Sequence, residues 1–513
     1  MSERADLVVG ERPVRVEDVA GVARGELEVG LSRDPGFRAR LSRGVEVIEQ
    51  RLERAIPTYG VNTGFGASVK NAVPRAQAFL LARNLPRYHG CGVGPLLEQE
   101  QGRAVMLIRL ASLAGGYSGV RPVVLERLVE LLAAGLAPAI PARGSVGASG
   151  DLTPLSYLAA LLVGERDAWF EGRLVPAADA LARARLERIE LGPKESLAIM
   201  NGTSVMAARC CLAFTRAERL ARLGSALTAT CIAVMDGQRT HFDARLFQAK
   251  AHPGSAECAS LIRCHLGRGD APRQRPGRIQ ERYSLRCAPQ VIGVLLDALS
   301  FCRGVLETEI NGASDNPLVD PDSGDVLHGG NFYGGHLAMV ADLLKTQVAN
   351  VADLMERQLV LLNDPAQNGG LPENLVAVLG DERYAHHGFK AMEITASALT
   401  AEALKLTMPA SVFSRSTEGH NQDKVSMGSI AADDFERVVD LCETVAAIHL
   451  IACAQAVDLR GCESVPPAVR ALHQTVRSRV PATVEDRPMD RDIEVALTLI
   501  RTDALAMPSR RSA

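Results

Sequence analysis

Aromatic side chains make up only 4 % of this 513-residue chain, with a single tryptophan, although 47 % of its residues are hydrophobic. A sandwich or barrel builds its core from β-branched and aromatic residues, so this scarcity weighs against an all-β fold and for packed Ala- and Leu-rich helices. Charge of one sign is scarce too. With 57 Lys and Arg against 60 Asp and Glu the formal net charge is -3, which offers no general attraction for polyanions and argues against a nucleic-acid partner. No uninterrupted apolar run reaches the ~18 residues of a membrane span, and Met1-Ser2-Glu3-Arg4-Ala5-Asp6 has no apolar signal core. A soluble, cytoplasmic protein without a membrane partner is expected. The eleven cysteines include no C-x-x-C pair, which fits neither a disulfide framework nor a zinc module; they read as reduced thiols, mostly core filler, with no metal. P-loop, G-x-G-x-x-G and H-E-x-x-H strings are missing as well, which removes nucleotide-dependent and zinc-protease chemistry.

What is present is helical periodicity. The segment 337–363 contains neither Gly nor Pro and carries Leu337, Val340, Ala341, Leu344, Val348, Val351, Ala352, Met355, Leu359 and Leu362 along one stripe. Helices are also predicted over 390–407 and 431–459, the latter apolar around much of its circumference and so suited to burial. Apolar residues between 99 and 136 recur at helical spacing with a break near Gly115, and Pro138 and Pro141 end the pattern. The stretch 268–280, RGDAPRQRPGRIQ, reads as a solvated loop. The length favours two subregions: 1–200, with a Gly-rich candidate lid at 59–66 and a second Gly-rich segment at 144–155, and 201–513, a helical bundle.

That second segment carries chemistry. Arg143 to Asp151 holds three glycines in nine residues, more than a helix cap formed by Ser149 or Asp151 requires. The Gly150 nitrogen, on a residue without a side chain, can close on the Ala148 carbonyl; loss of two waters, one from the Ser149 side chain, leaves a 4-methylidene-imidazol-5-one. Such a ring is a carbon electrophile, which no ordinary side chain provides. A serine-hydrolase elbow fails as the rival reading, because Asp151 stands where the last glycine of G-x-S-x-G belongs. A non-catalytic helical scaffold would explain the helices and nothing in this segment.

The string Gly144-Ser145-Val146-Gly147-Ala148-Ser149-Gly150-Asp151-Leu152 resembles the hallmark of the histidine, phenylalanine and tyrosine ammonia-lyases and the related aminomutases. Six further blocks follow in that family's order: Tyr59–Gly66, Asn201–Ser204, Tyr283–Gln290, Ser314–Pro317, His328–Phe332 and Asn421–Asp423. The resemblance implies a mainly helical fold with a long central bundle, of the ammonia-lyase/fumarase-like type, below a smaller N-terminal part carrying the active-site loops. It also implies a homotetramer whose sites draw residues from several subunits, a small amino-acid substrate, and the self-formed ring as cofactor without metal or nucleotide.

By the same resemblance Ala148, Ser149 and Gly150 form the electrophile, Tyr59 takes the β-proton, and Tyr283 stands with it among the catalytic residues. A free tyrosine titrates near pH 10, so Tyr59 needs tuning by its surroundings. Arg286 offers a planar fork for the substrate carboxylate; Asn201, Asn316 and Phe332 line the site; Lys390 and Glu418 lie near the substrate amine. The pair that reads the substrate ring corresponds to Tyr88 and His89, where phenylalanine lyases usually carry Phe-Leu and histidine lyases Ser-His. Two polar groups would stand unpaired against a phenyl ring, and Gln422 occupies a position where histidine lyases typically carry glutamate. The expected reaction is therefore elimination of ammonia from L-tyrosine to p-coumarate, with histidine (to urocanate), phenylalanine and a tyrosine 2,3-aminomutase outcome as alternatives.

Overall fold

The computed structural model describes residues 5–267, 279–505 and 507, so most of the basic stretch 268–280 lies outside the described residues. Helices dominate, and the strands are short pairs and one three-stranded sheet. The chain divides into two compact units that interleave along the sequence: the first comprises 1–215, 302–342 and 409–433, the second 216–301, 343–408 and 434–513.

In the first unit, helix Gln99–Ala114 is buried on nearly every face from Ala104 to Leu113 and packs against Val16–Arg24 and Pro122–Ala133. It stops at Gly115-Gly116, Pro122 opens the next helix at a position where a missing N–H costs nothing, and Gly135 closes it. The single periodic stretch 99–136 is thus two helices separated at the predicted break. Helix Leu152–Leu162 (LTPLSYLAALL) is almost wholly buried and rests on Ala78–Tyr88 and Glu195–Met200. Each fully buried leucine there contributes on the order of 1.5–3 kcal/mol. Strand Val93–Leu96 pairs antiparallel with Pro141–Arg143, which brings the segment after Arg143 beside Gly92 and the end of the Ala78–Tyr88 helix.

In the second unit, helix Pro253–Leu266 packs on Pro467–Arg477 and on Ala244–Ala249. Arg216 donates to Asp440 and Glu443, and Arg501 donates to both as well, so four charged groups join three helices. Helix Gly335–Asn363 matches the predicted 337–363, and all ten stripe residues are buried. It ends before Asp364-Pro365, where proline disfavours a helical residue ahead of it. Helices Lys390–Lys405 and Gly428–Arg460 match the other two expectations within two or three residues. Among the described residues Gly428–Arg460 is long and apolar enough to cross a membrane; 83 % of its apolar window is buried inside the protein, as in a core helix. Seven of the eleven cysteines are buried and all are free.

Candidate active site

The 144–151 segment is held by its own backbone and by two distant strands of chain. Ser145 Oγ donates to the Gly150 carbonyl at 3.0 Å and accepts from Gly147 N at 3.0 Å. Ser426 Oγ donates to the Gly147 carbonyl at 3.2 Å, and Met427 N donates to the Val146 carbonyl at 3.0 Å. Gly150 (φ +68°) lies beside Gly202, where a Cβ on residue 150 would stand 2.1 Å from the Gly202 carbonyl oxygen and 3.1 Å from that of Phe332. Only glycine fits there. A side-chain-free nitrogen confined against rigid backbone is what closure on the Ala148 carbonyl requires, so the residues present fit the ring.

Asp151 is not the side-chain cap of the helix that follows it. Its side chain makes no bond to Leu152–Leu162. Its carboxylate instead accepts from Val205 N (2.9 Å), Met206 N (2.8 Å) and Ser429 Oγ (2.9 Å), capping helix Ser204–Val234. Those bonds tie the segment to the start of this helix, three residues after Asn201. Asn201 Nδ2 donates to the Ser149 carbonyl at 3.1 Å, the oxygen that survives ring closure, since closure consumes that of Ala148. Arg109, wholly buried, holds Asn201 in turn through a 2.9 Å bond from Nη1 to its carbonyl; burial lowers its pKa to about 10, with Asp315 and Asp151 opposing. Lys194 and Asp315 form a fully buried ion pair. Asp315 also accepts from Asn316 N at 2.7 Å, and Asn316 Oδ1 accepts from Gly329 N at 2.9 Å, fixing that amide at the site's edge.

A cavity of about 920 Å³ opens over Ser149, and Tyr59, Tyr88, His89, Ala148, Gly150, Asn201, Asn316, Phe332, Glu418 and Gln422 line it. All belong to the first unit. Gln422 Oε1 accepts from Thr417 Oγ1 at 2.9 Å, which turns the amide so that Nε2 donates to Ser149 Oγ at 3.1 Å. The Ser149 hydroxyl, which ring formation would have to lose, is thus met by a donor. Tyr59 OH accepts from Gly66 N at 2.8 Å, and Glu418 Oε1 accepts from Ala67 N at 2.8 Å, so the carboxylate covers the turn that carries the phenol. Burial raises the Tyr59 pKa, the Gly66 N–H offsets part of this, and Glu418 adds to it. The tuning expected for a base is therefore absent from these surroundings, which keep the phenol protonated. Tyr88 and His89, at the end of helix Ala78–Tyr88, have ring centroids 4.5 Å apart. Burial, Tyr59 and Glu418 push Tyr88 up to about 12, and burial lowers His89, so both are neutral near pH 7.

Tyr283, Arg286 and Lys390 belong to the second unit and are not among the residues lining this cavity. Tyr283 is 72 % exposed, and the Arg286 guanidinium lies over its ring at 4.6 Å, with Nε buried and unpartnered. Sequence reasoning missed Arg109, Lys194 and Thr417, and placed Asp315 in a motif block without its partner Lys194. Arg109 and Lys194 carry one usable signal, a lone cation in an otherwise apolar or turn-rich stretch; Thr417 carries none.

The family profile described as Aromatic amino acid lyase matches residues 14–478. Over 512 residues the chain is 39 % identical to a histidine ammonia-lyase of Anaeromyxobacter dehalogenans (strain 2CP-C), covering 98 % of this chain and 99 % of that one. Among solved structures, a tyrosine aminomutase from Streptomyces globisporus is similar with TM-score 0.91 and 34 % identity, covering 97 % of each chain. A histidine ammonia-lyase from Trypanosoma cruzi is similar with TM-score 0.89 and 30 % identity, covering 99 % of this chain and 96 % of that one.

Proposed function

The chain belongs to the aromatic amino acid lyase family and is a carbon-nitrogen lyase of that helical fold; from that premise we propose that it eliminates ammonia from L-histidine to give urocanate, using a ring matured from Ala148-Ser149-Gly150. The observation that carries the substrate is the 39 % identity, over nearly the full length of both chains, to a protein named histidine ammonia-lyase. This replaces tyrosine as the first reading.

When formed, the methylidene-imidazolone supplies the carbon electrophile that makes the amine a better leaving group. The protein's own groups do the rest. Asn201 withdraws electron density from the Ser149 carbonyl, and Gln422 assists departure of the Ser149 hydroxyl during maturation. Tyr59, once deprotonated, accepts the β-proton. Neutral His89 has one donor and one acceptor nitrogen, and neutral Tyr88 can do either, so the pair can satisfy both nitrogens of a substrate imidazole. In the homotetramer that the family resemblance implies, Arg286 binds the carboxylate and Tyr283 and Lys390 complete the site.

Tyrosine is the second reading, favoured by Gln422 in place of glutamate and by the tyrosine aminomutase at TM-score 0.91. Purified protein given L-histidine, L-tyrosine or L-phenylalanine, with ammonia and the conjugated or β-amino product followed by chromatography, separates the readings. The highest kcat/KM is expected with histidine; a higher value with tyrosine rejects that substrate. The intact mass should fall roughly 36 Da below that of the unmodified chain, and Ser149→Ala should keep full mass and lose turnover. A full-mass wild type with normal turnover would exclude the ring.

A further inference from the structure

Outside the cavity, the second unit contains a cluster of soft donor atoms. Cys231 lies on helix Ser204–Val234, and His449 and Cys453 lie one turn apart on the same face of Gly428–Arg460. All three side chains are buried. Cys231 Sγ is 3.3 Å from His449 Nε2 and 3.9 Å from Cys453 Sγ, and the three donor atoms lie within 4.8 Å of one another. Tetrahedral zinc with Zn–S of about 2.3 Å and Zn–N of about 2.0–2.1 Å spaces two sulfurs by about 3.8 Å and sulfur from nitrogen by about 3.6 Å. The two separations from Cys231 are within a few tenths of an ångström of these, and the third is bounded by 4.8 Å. A void of about 10 Å³, the size of one water, touches Cys453 and Thr230. His449 Nδ1 has no hydrogen-bond partner, which leaves the sulfur cluster as the ring's polar anchor.

We infer that Cys231, His449 and Cys453 bind one Zn²⁺ as a three-ligand centre joining the two helices, with water in the fourth position. Two thiolates, a neutral imidazole and Zn²⁺ sum to zero charge, the condition for holding an ion in a dry core. Loading releases the two S–H protons, forms two Zn–S bonds and one Zn–N bond, and changes no oxidation state. The expectation of no metal rested on missing C-x-x-C pairs; here the ligands come from positions 218 and 222 residues apart as well as from one helical turn.

Full-length protein expressed with added Zn²⁺ and exchanged into metal-free buffer should hold about one zinc per chain by elemental analysis. The Cys231→Ala, Cys453→Ala double variant should hold about none while keeping ammonia-lyase turnover. Expression in Co²⁺ medium should give the wild type a thiolate-to-cobalt absorption band, which decides the matter if the double variant does not fold. Zinc well below stoichiometry with no cobalt band, zinc retained by the folded double variant, or nine titratable thiols instead of eleven in the denatured wild type, indicating a disulfide, would each overturn the site.

Discussion

Asp151 keeps a carboxylate where no water reaches it, and burial pushes its pKa from 3.8 up to about 6 against the three hydrogen bonds it accepts and the pull of Arg209. A raised carboxyl pKa contributes stability that is complete below the unfolded value and lost as pH rises through the folded one. Relative to Asp151→Asn, the wild type should therefore lose stability between pH 4 and 7, by on the order of 3 kcal/mol. Urea unfolding of both proteins across that range measures the difference, and a constant difference would show that Asp151 does not titrate in this window. At this scale the sequence was informative about identity and poor about partners. The motif blocks, with the Tyr88-His89 pair and Glu418, flagged the side chains proposed to act at Ser149; Thr417, Arg109, Lys194 and cavity walls such as Leu81, Leu85 and Leu197 went unflagged. The one local reading for the carboxylate of Asp151 was a cap, shared with Ser149, on the adjacent helix. Its true partner starts more than fifty residues later, and no local rule reaches that far.

Helices were legible wherever one face had to be buried. The stripe from Leu337 to Leu362 predicted its helix to within two residues, because an unbroken apolar period has few other folded outcomes. Contacts between helices were not legible, since they depend on which positions face each other after packing. Glu443 illustrates this: wholly buried, it accepts from Arg216 and Arg501, whose bonds overcome the burial penalty and hold its pKa below the ordinary value. Glu443→Gln removes the charge that two arginines share. Asp440 remains, so the loss should lie near the lower end of the range for a broken buried pair, about 3 kcal/mol, read as a lower urea midpoint with unchanged ammonia-lyase kcat. A change below about 0.5 kcal/mol, the scatter of surface substitutions, would mean that the network carries no net stability.

For the whole molecule, the shared-site reading makes a prediction that a monomer cannot meet. Tyr59→Phe and Arg286→Ala should each be nearly inactive alone. Co-expressed and assembled together, they should regain a measurable fraction of wild-type kcat, because some sites then receive an intact Tyr59 from one subunit and an intact Arg286 from another. Mixed assemblies as inactive as either parent would place both residues in one subunit's site or outside it altogether.

The first unit is assembled from 1–215, 302–342 and 409–433, and the cavity over Ser149 takes lining residues from Tyr59 through Lys424. A ribosome delivers these in order at about 5–20 residues per second, so tens of seconds separate the first wall from the last. From residue 149 until residue 422 is added, the nascent chain has Ser149 but not Gln422. Chemistry that needs the amide of one against the hydroxyl of the other is thereby confined to a nearly finished polypeptide, and a message cut short before the 409–433 segment yields an ordinary serine.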